Sequence, residues 1–196
     1  MGRFGVNTAR AYGISMVILR KMAREIGRDH DLAQELWASD IHEAQILASL
    51  IDDPAKVTVA QMESWVRCFD SWDICDQCCQ NLFAGTIFAC QKAVEWSSND
   101  REFIKRAGFV LMARLAVSDK KASDSQFERF LPIIKREATD DRNFVKKAVN
   151  WALRQIGKRN ERLRKEAIRL ATRLKTSGHE TQRWIGADAA RELEKN

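Results

Sequence analysis

FIKRAGFVLMARLA, residues 103–116, and FVKKAVNWALRQIG, residues 144–157, begin 41 residues apart. Both open Phe, then Ile or Val, then Lys, then a second cation, then Ala, and both run on into an apolar helical pattern. A period near 40 that holds two helices is the spacing of HEAT-like units, which bury a core only by stacking on their neighbours. The short breaks along the chain also suit a compact helical bundle. Either way the fold class is all-α, and the echo favours a HEAT-like repeat solenoid of antiparallel helix pairs.

Working outward, helical periodicity covers almost the whole chain. It predicts helices over 14–27, 30–38, 41–51, 58–68, 70–82, 86–96, 101–117, 124–137, 141–157, 161–175 and 180–194. The breaks are short: DDPAK at 52–56, SSND at 97–100 and SDKKASD at 118–124. Thr58, Ser98 and Asp124 suit N-cap positions. Two prolines, nine glycines and one tyrosine argue against a β-sandwich or barrel. No break has the length of an interdomain linker, so a single domain over 1–196 is expected. No apolar run reaches the roughly 18 residues of a membrane helix, and MGRFGVNTARAYGIS lacks a signal-peptide core. A soluble, cytoplasmic protein is expected.

The five cysteines are Cys68, Cys75, Cys78, Cys79 and Cys90. An odd number, with four of them within twelve residues, is not a secreted disulfide framework. Cys75 and Cys78 form a C-x-x-C, but no second pair or His pair completes a zinc site. Inside an apolar helix cysteine packs as a small hydrophobe. Neither metal nor cofactor is expected.

Charge is uneven. Residues 40–100 hold three Lys or Arg against ten Asp or Glu, and residues 135–175 hold fourteen against five. A dense basic block is either a solvated helical surface or the footprint of a polyanion. Lys105, Arg106, Lys146, Lys147, Arg154, Lys158, Arg159, Arg162, Arg164 and Lys165 are the candidates to follow a phosphate backbone. No helix-turn-helix, zinc-finger or RNP signature accompanies them, so such a contact would read shape and charge.

Two aromatic positions stand off their helix cores. With Ile74 at 0°, Cys78, Leu82, Cys75 and Cys79 span an arc from about 40° to 140°, while Trp72 and Asp76 fall near 160° and 200°. They are i, i+4 neighbours on the edge of the apolar stripe. An aspartate there caps a neighbouring helix, pairs with an arginine, or faces a groove. With Val145 at 0°, Val149, Ala152 and Ile156 make the core stripe, and Trp151 falls near 240° beside Lys147, Arg154 and Lys158. That tryptophan either covers cationic stems or offers a flat face to a base or sugar.

On these residues the chain resembles the DNA alkylation repair glycosylases of the AlkD-like, HEAT-repeat type. The matching pieces are IHEAQILASLI, MESWVRCFDSWDICDQ, EFIKRAGFVLMARLA, DDRNFVKKAVNWALRQIGKRN and RWIGADAAREL, in family order. The resemblance implies a concave basic cleft lined by a Trp-x-x-x-Asp on one helix and a Trp on a later one, here Trp72, Asp76 and Trp151. An arginine near the cleft corresponds to Arg106. It implies excision of positively charged N3- or N7-alkylated purines from duplex DNA without a cofactor or an obligate protein partner. Asp73 is the alternative carboxylate, read with Asp70 as structural. Members of the family usually carry further helices before the FG-[IV]-N segment, which here begins at Phe4, and often a second aromatic where this chain has Ser71. Competing readings are a non-catalytic HEAT-like module that binds nucleic acid through its basic face, a protein-binding scaffold, and a thiol enzyme on Cys75 and Cys78.

Overall fold

The computed structural model describes residues 9–195. The FGVN segment at 4–7 lies outside them. All regular structure in the described residues is helical, and none of these helices is long and apolar enough to cross a membrane. The chain divides into two compact units, Met1–Ala89 and Cys90–Asn196.

The first unit contains α1 (Met16–Ile26), α2 (His30–Ala38), α3 (His42–Ile51), α4 (Val59–Arg67) and α5 (Trp72–Asn81), then a 3₁₀ turn at Phe83–Gly85. Helix α3 is the hub of this unit, packed against α1, α2 and α5. Trp37 of α2 and Trp65 of α4 stack 3.9 Å apart and nearly parallel, and Phe69 and Phe83 close an aromatic cluster around them. Such rings supply large buried area and fix the helix pairing. Thr58 caps α4, accepting a hydrogen bond from the Gln61 backbone N–H at 3.1 Å as its sequence position predicts.

Polar side chains tie this unit where the chain turns. The buried Asp52 carboxylate accepts from Gln61 Nε2 at 2.6 Å and lies 2.7 Å from His30 Nδ1. The buried Glu43 carboxylate accepts from the backbone N–H groups of Tyr12, Gly13 and Ile14 at 2.9, 2.7 and 3.3 Å. Burial pushes the Glu43 carboxyl up, but those donors outweigh it and the group ends below its usual value. Gly13 adopts φ +77°, which lets the chain curl around this carboxylate.

The second unit holds most of α6 (Ala89–Trp96), then α7 (Glu102–Ser118), α8 (Asp124–Glu128), α9 (Phe130–Glu137), α10 (Asn143–Gly157), α11 (Glu161–Lys175) and α12 (Glu180–Leu193). Helix α10 packs against α7, α12 and α11, and more lightly against α9. The echo seen in the sequence is a stacking register: the rings of Phe103 and Phe144 lie 5.7 Å apart. Two glycines allow close approach. A Cβ at Gly108 would meet the Ser97 backbone nitrogen at 2.6 Å, and one at Gly186 would meet the Lys175 nitrogen at 2.3 Å.

Helix 124–137 is expected as one piece and is two, broken at Arg129. Pro132 is the reason, since it has no N–H to give the Glu128 carbonyl and its ring crowds that oxygen. Two predicted caps also differ. Asp124 is the first residue of α8 and Ser123 precedes it, while Ser98 Oγ donates to the Glu95 carbonyl at the end of α6. Helix α7 starts after Arg101, with no side-chain cap.

Candidate nucleic-acid interface

Trp72 and Asp76 occupy successive turns at the start of α5. The helix is anchored by Ile74, Cys75, Cys78 and Cys79, all buried. Cysteine here is packing, as expected: burial drives the Cys78 thiol well above its usual value, so it is neither nucleophile nor ready ligand. No group of three or more His, Cys, Asp or Glu among the described residues is arranged to hold a metal ion. The indole of Trp72 is half-buried. Asp76 is more enclosed than the helical wheel implies, at 8% exposure rather than at an open rim. A helix inside a stacked row is covered over more than one stripe, and the wheel counts only the stripe.

Asp73 takes a structural role. Its Oδ2 lies 2.9 Å from His42 Nε2 on α3, and its Oδ1 accepts from the Ile74 N–H at 3.0 Å. Burial pushes the Asp73 carboxyl up, but the His42 contact leads the effects that bring it below its usual value. The same contact raises His42 against the opposing effect of burial, with smaller help from Glu43 and Asp70. Ser71, where the resemblance leads one to expect a second aromatic, is fully buried, so a ring there would need the surrounding packing to open.

Trp151 belongs to the second unit, on α10, where it is half-buried. Its neighbours on the helix separate into two kinds. Lys147 is exposed and makes no hydrogen bond or ion pair with a described residue. Lys146 Nζ lies 5.7 Å from the ring centre of Trp184 on α12. Arg154 and Lys158 are instead paired with Glu192, and Asp188 lies 3.7 Å from Arg154 and accepts from Asn150 Nδ2 at 2.7 Å. That side of α10 is a seam against α12.

Three of the expected phosphate-contacting cations are engaged in contacts within the protein. Lys105 is buried and pairs with Glu137 at 2.7 Å and Asp140 at 3.2 Å. Arg106 is buried and donates from Nη1 to the Phe144 carbonyl at 2.6 Å. Arg159 donates to the carbonyls of Ala116 and Ala122 at 3.1 and 2.9 Å and lies over the Phe127 ring at 4.3 Å. Each of these ties one helical repeat to the next. Buried cations must be paired or hydrogen-bonded, and the partners are there. The open cationic surface on α10 is therefore Lys147, with Lys146 and Trp184 beside it. Trp184, 41% exposed, was not singled out by the sequence reading.

Comparison with known proteins bears on this arrangement. No curated protein matches the chain. A solved structure from "a new family of proteins related to the HEAT-like repeat DNA glycosylases with affinity for branched DNA structures" superposes with a TM-score of 0.79 at 19% identity. The match covers 96% of this chain and 85% of that one, so the fold is HEAT-like. The family model described as DNA alkylation repair enzyme matches residues 1–193. The chain belongs to the DNA alkylation repair enzyme family.

Proposed function

We propose that the chain is a DNA glycosylase that excises positively charged N3- or N7-alkylated purines from duplex DNA. The observation that carries this reading is the Trp72–Asp76 turn: an indole and an enclosed carboxylate one turn apart, on a helix whose far side is fixed in the core. Alkylation makes the base a good leaving group. The N-glycosyl bond breaks with its electron pair going to the base, which departs neutral, and the sugar becomes an oxocarbenium-like cation. Water adds at C1′ and loses a proton, leaving an apurinic site.

Asp76 stabilises the cation and orients the water or takes its proton. At ~4 Å and an effective dielectric near 20, one such charge pair is worth about 4 kcal/mol. That corresponds to roughly a thousandfold in rate. Trp72 packs on the sugar and disperses charge. Trp151 has the corresponding role toward the lesion by resemblance to the family. Lys146 and Lys147 hold phosphates without reading sequence.

A second reading is DNA binding without base removal. It is favoured by the structural relative's described affinity for branched DNA. One experiment separates the two. Purified protein and an Asp76→Asn control are incubated with duplex carrying a single N7-methylguanine, and free base is followed. Release by the wild type alone supports the glycosylase. Salt-sensitive binding with no release supports the binding module.

A further inference from the structure

The basic block of residues 135–175 is split by the fold between two surfaces. Helix α10 turns Val145, Val149, Ala152 and Ile156 into the core and leaves Lys147 on the other side. Helix α11 turns Leu163, Ala167, Leu170 and Leu174 inward and carries Arg162, Arg169 and Arg173 on its exposed shoulder. Helix α11 packs against both α9 and α10, and no α10 residue lines the groove between α9 and α11, so the α11 cations in it stand apart from Lys147 and Trp151.

Between α9 and α11 lies an open groove of 360 Å³, with Leu131, Pro132 and Lys135 on the α9 wall and Glu166, Arg169, Leu170 and Arg173 on the α11 wall. The side chains of Lys135 and Arg173 make no ion pair or hydrogen bond with a described residue. Arg169 has only an exposed i, i+3 partner, Glu166, a kind of pair that exchanges readily for a stronger anion. On α10, by contrast, Arg154 and Lys158 both pair with Glu192, and Arg154 also lies near Asp188. Arg169 and Arg173 stand one turn apart, roughly 6 Å along the axis. A nucleic-acid strand carries a charge about every 3.4 Å along the duplex axis, so two guanidiniums at this spacing can each meet a nearby phosphate of one strand. The apolar floor suits the deoxyribose between them. No large apolar side chain on α9 or α11 is exposed, so the face offers nothing to insert into a membrane.

We propose that the α9–α11 groove is a second phosphate-binding surface, which takes the backbone of a duplex segment other than the one on the Lys147 face. The proposal rests on duplex DNA being the ligand of that first face. It gives one chain two duplex contacts, the requirement for preferring a junction over a linear segment.

The test uses the full chain, a four-way DNA junction and a linear duplex of matching arm length, with anisotropy titrations at several salt concentrations. The triple variant Lys135→Gln/Arg169→Gln/Arg173→Gln removes only exposed side chains, and thermal melts check its fold. The junction affinity is expected to fall ~10-fold or more, with the salt slope reduced by about 2 to 3. Linear binding and base release should stay within about twofold of wild type, whereas Lys147→Gln weakens both DNA forms. Junction binding and salt slope unchanged in the triple variant overturn the proposal, as does equal loss on junction and linear DNA. If the wild type releases no base while the triple variant still loses junction binding selectively, the glycosylase reading fails and the groove stands.

Discussion

His42 Nε2 of α3 lies 2.9 Å from Asp73 Oδ2 of α5, so the turn that carries Trp72 and Asp76 is pinned to the neighbouring helix by a buried ion pair. The pairing raises the folded-state pKa of His42 and lowers that of Asp73. A raised histidine contributes stability that is complete below its unfolded value near 6.5 and is lost as pH rises through the folded value. A lowered aspartate contributes stability that is complete above its unfolded value near 3.9 and is lost as pH falls through the folded value. Their shared maximum therefore lies between about pH 4 and 6.5. Thermal melts should fall from pH 6 to 8.5 in the wild type, and His42→Gln should flatten that slope. An unchanged slope would remove the ion pair from the account of α5.

Under the proposed function the two aspartates of this turn have different roles. Asp76→Asn should keep duplex affinity within a few-fold and lose roughly a thousandfold in base release, the rate equivalent of one charge pair. Asp73→Asn should lower the melting temperature through loss of the His42 contact and leave single-turnover release within about tenfold once the protein is folded. The reverse pattern, with release surviving Asp76→Asn but not Asp73→Asn, would move the carboxylate role to Asp73.

Two cations on α10 should also part company. Lys147→Gln removes an exposed, unpaired charge. It should weaken binding to all duplex sequences alike and lower the salt slope by about 0.9. Arg154→Gln breaks the pairing with Glu192 and Asp188 across the α10–α12 seam. It should cost ~1 kcal/mol in urea unfolding and leave the salt slope nearly unchanged. Equal effects on the salt slope would mean that Arg154 leaves its partners to reach DNA.

How far the sequence carries can be argued from these residues. Helix periods locate the elements because most of the helices are amphipathic on their own, and the 41-residue echo yields a true stacking contact, Phe103 on Phe144. A helical wheel sees one helix at a time, so it cannot see what the next repeat supplies. That is why Lys105, Arg106 and Arg159 read as free cations although they bind Glu137, a backbone carbonyl and two further carbonyls. The signal was present in one form: Asp188 and Glu192 lie 38 residues beyond Asn150 and Arg154, close to one repeat. The His42–Asp73 contact, 31 residues apart within the first unit, follows no such period.

Close packing of α11 and α12 gives the last test. A Cβ at Gly186 would meet the Lys175 nitrogen at 2.3 Å, the Ala171 carbonyl oxygen at 2.4 Å and the Leu174 carbonyl carbon at 2.8 Å. All three are backbone atoms of α11, so no side chain can rotate away and the helices themselves must separate. Gly186→Ala gains helix propensity of about 1 kcal/mol, but overpacking against a rigid backbone costs typically 1–3 kcal/mol, occasionally more. The net expectation is destabilisation of ~1–2 kcal/mol in urea unfolding. Gly178→Ala is the control, since a Cβ there meets nothing within 4 Å. It should leave the midpoint unchanged or slightly raised. If Gly186→Ala were as stable as this control, α11 and α12 would not be in the close contact that carries the α12 carboxylates to Arg154.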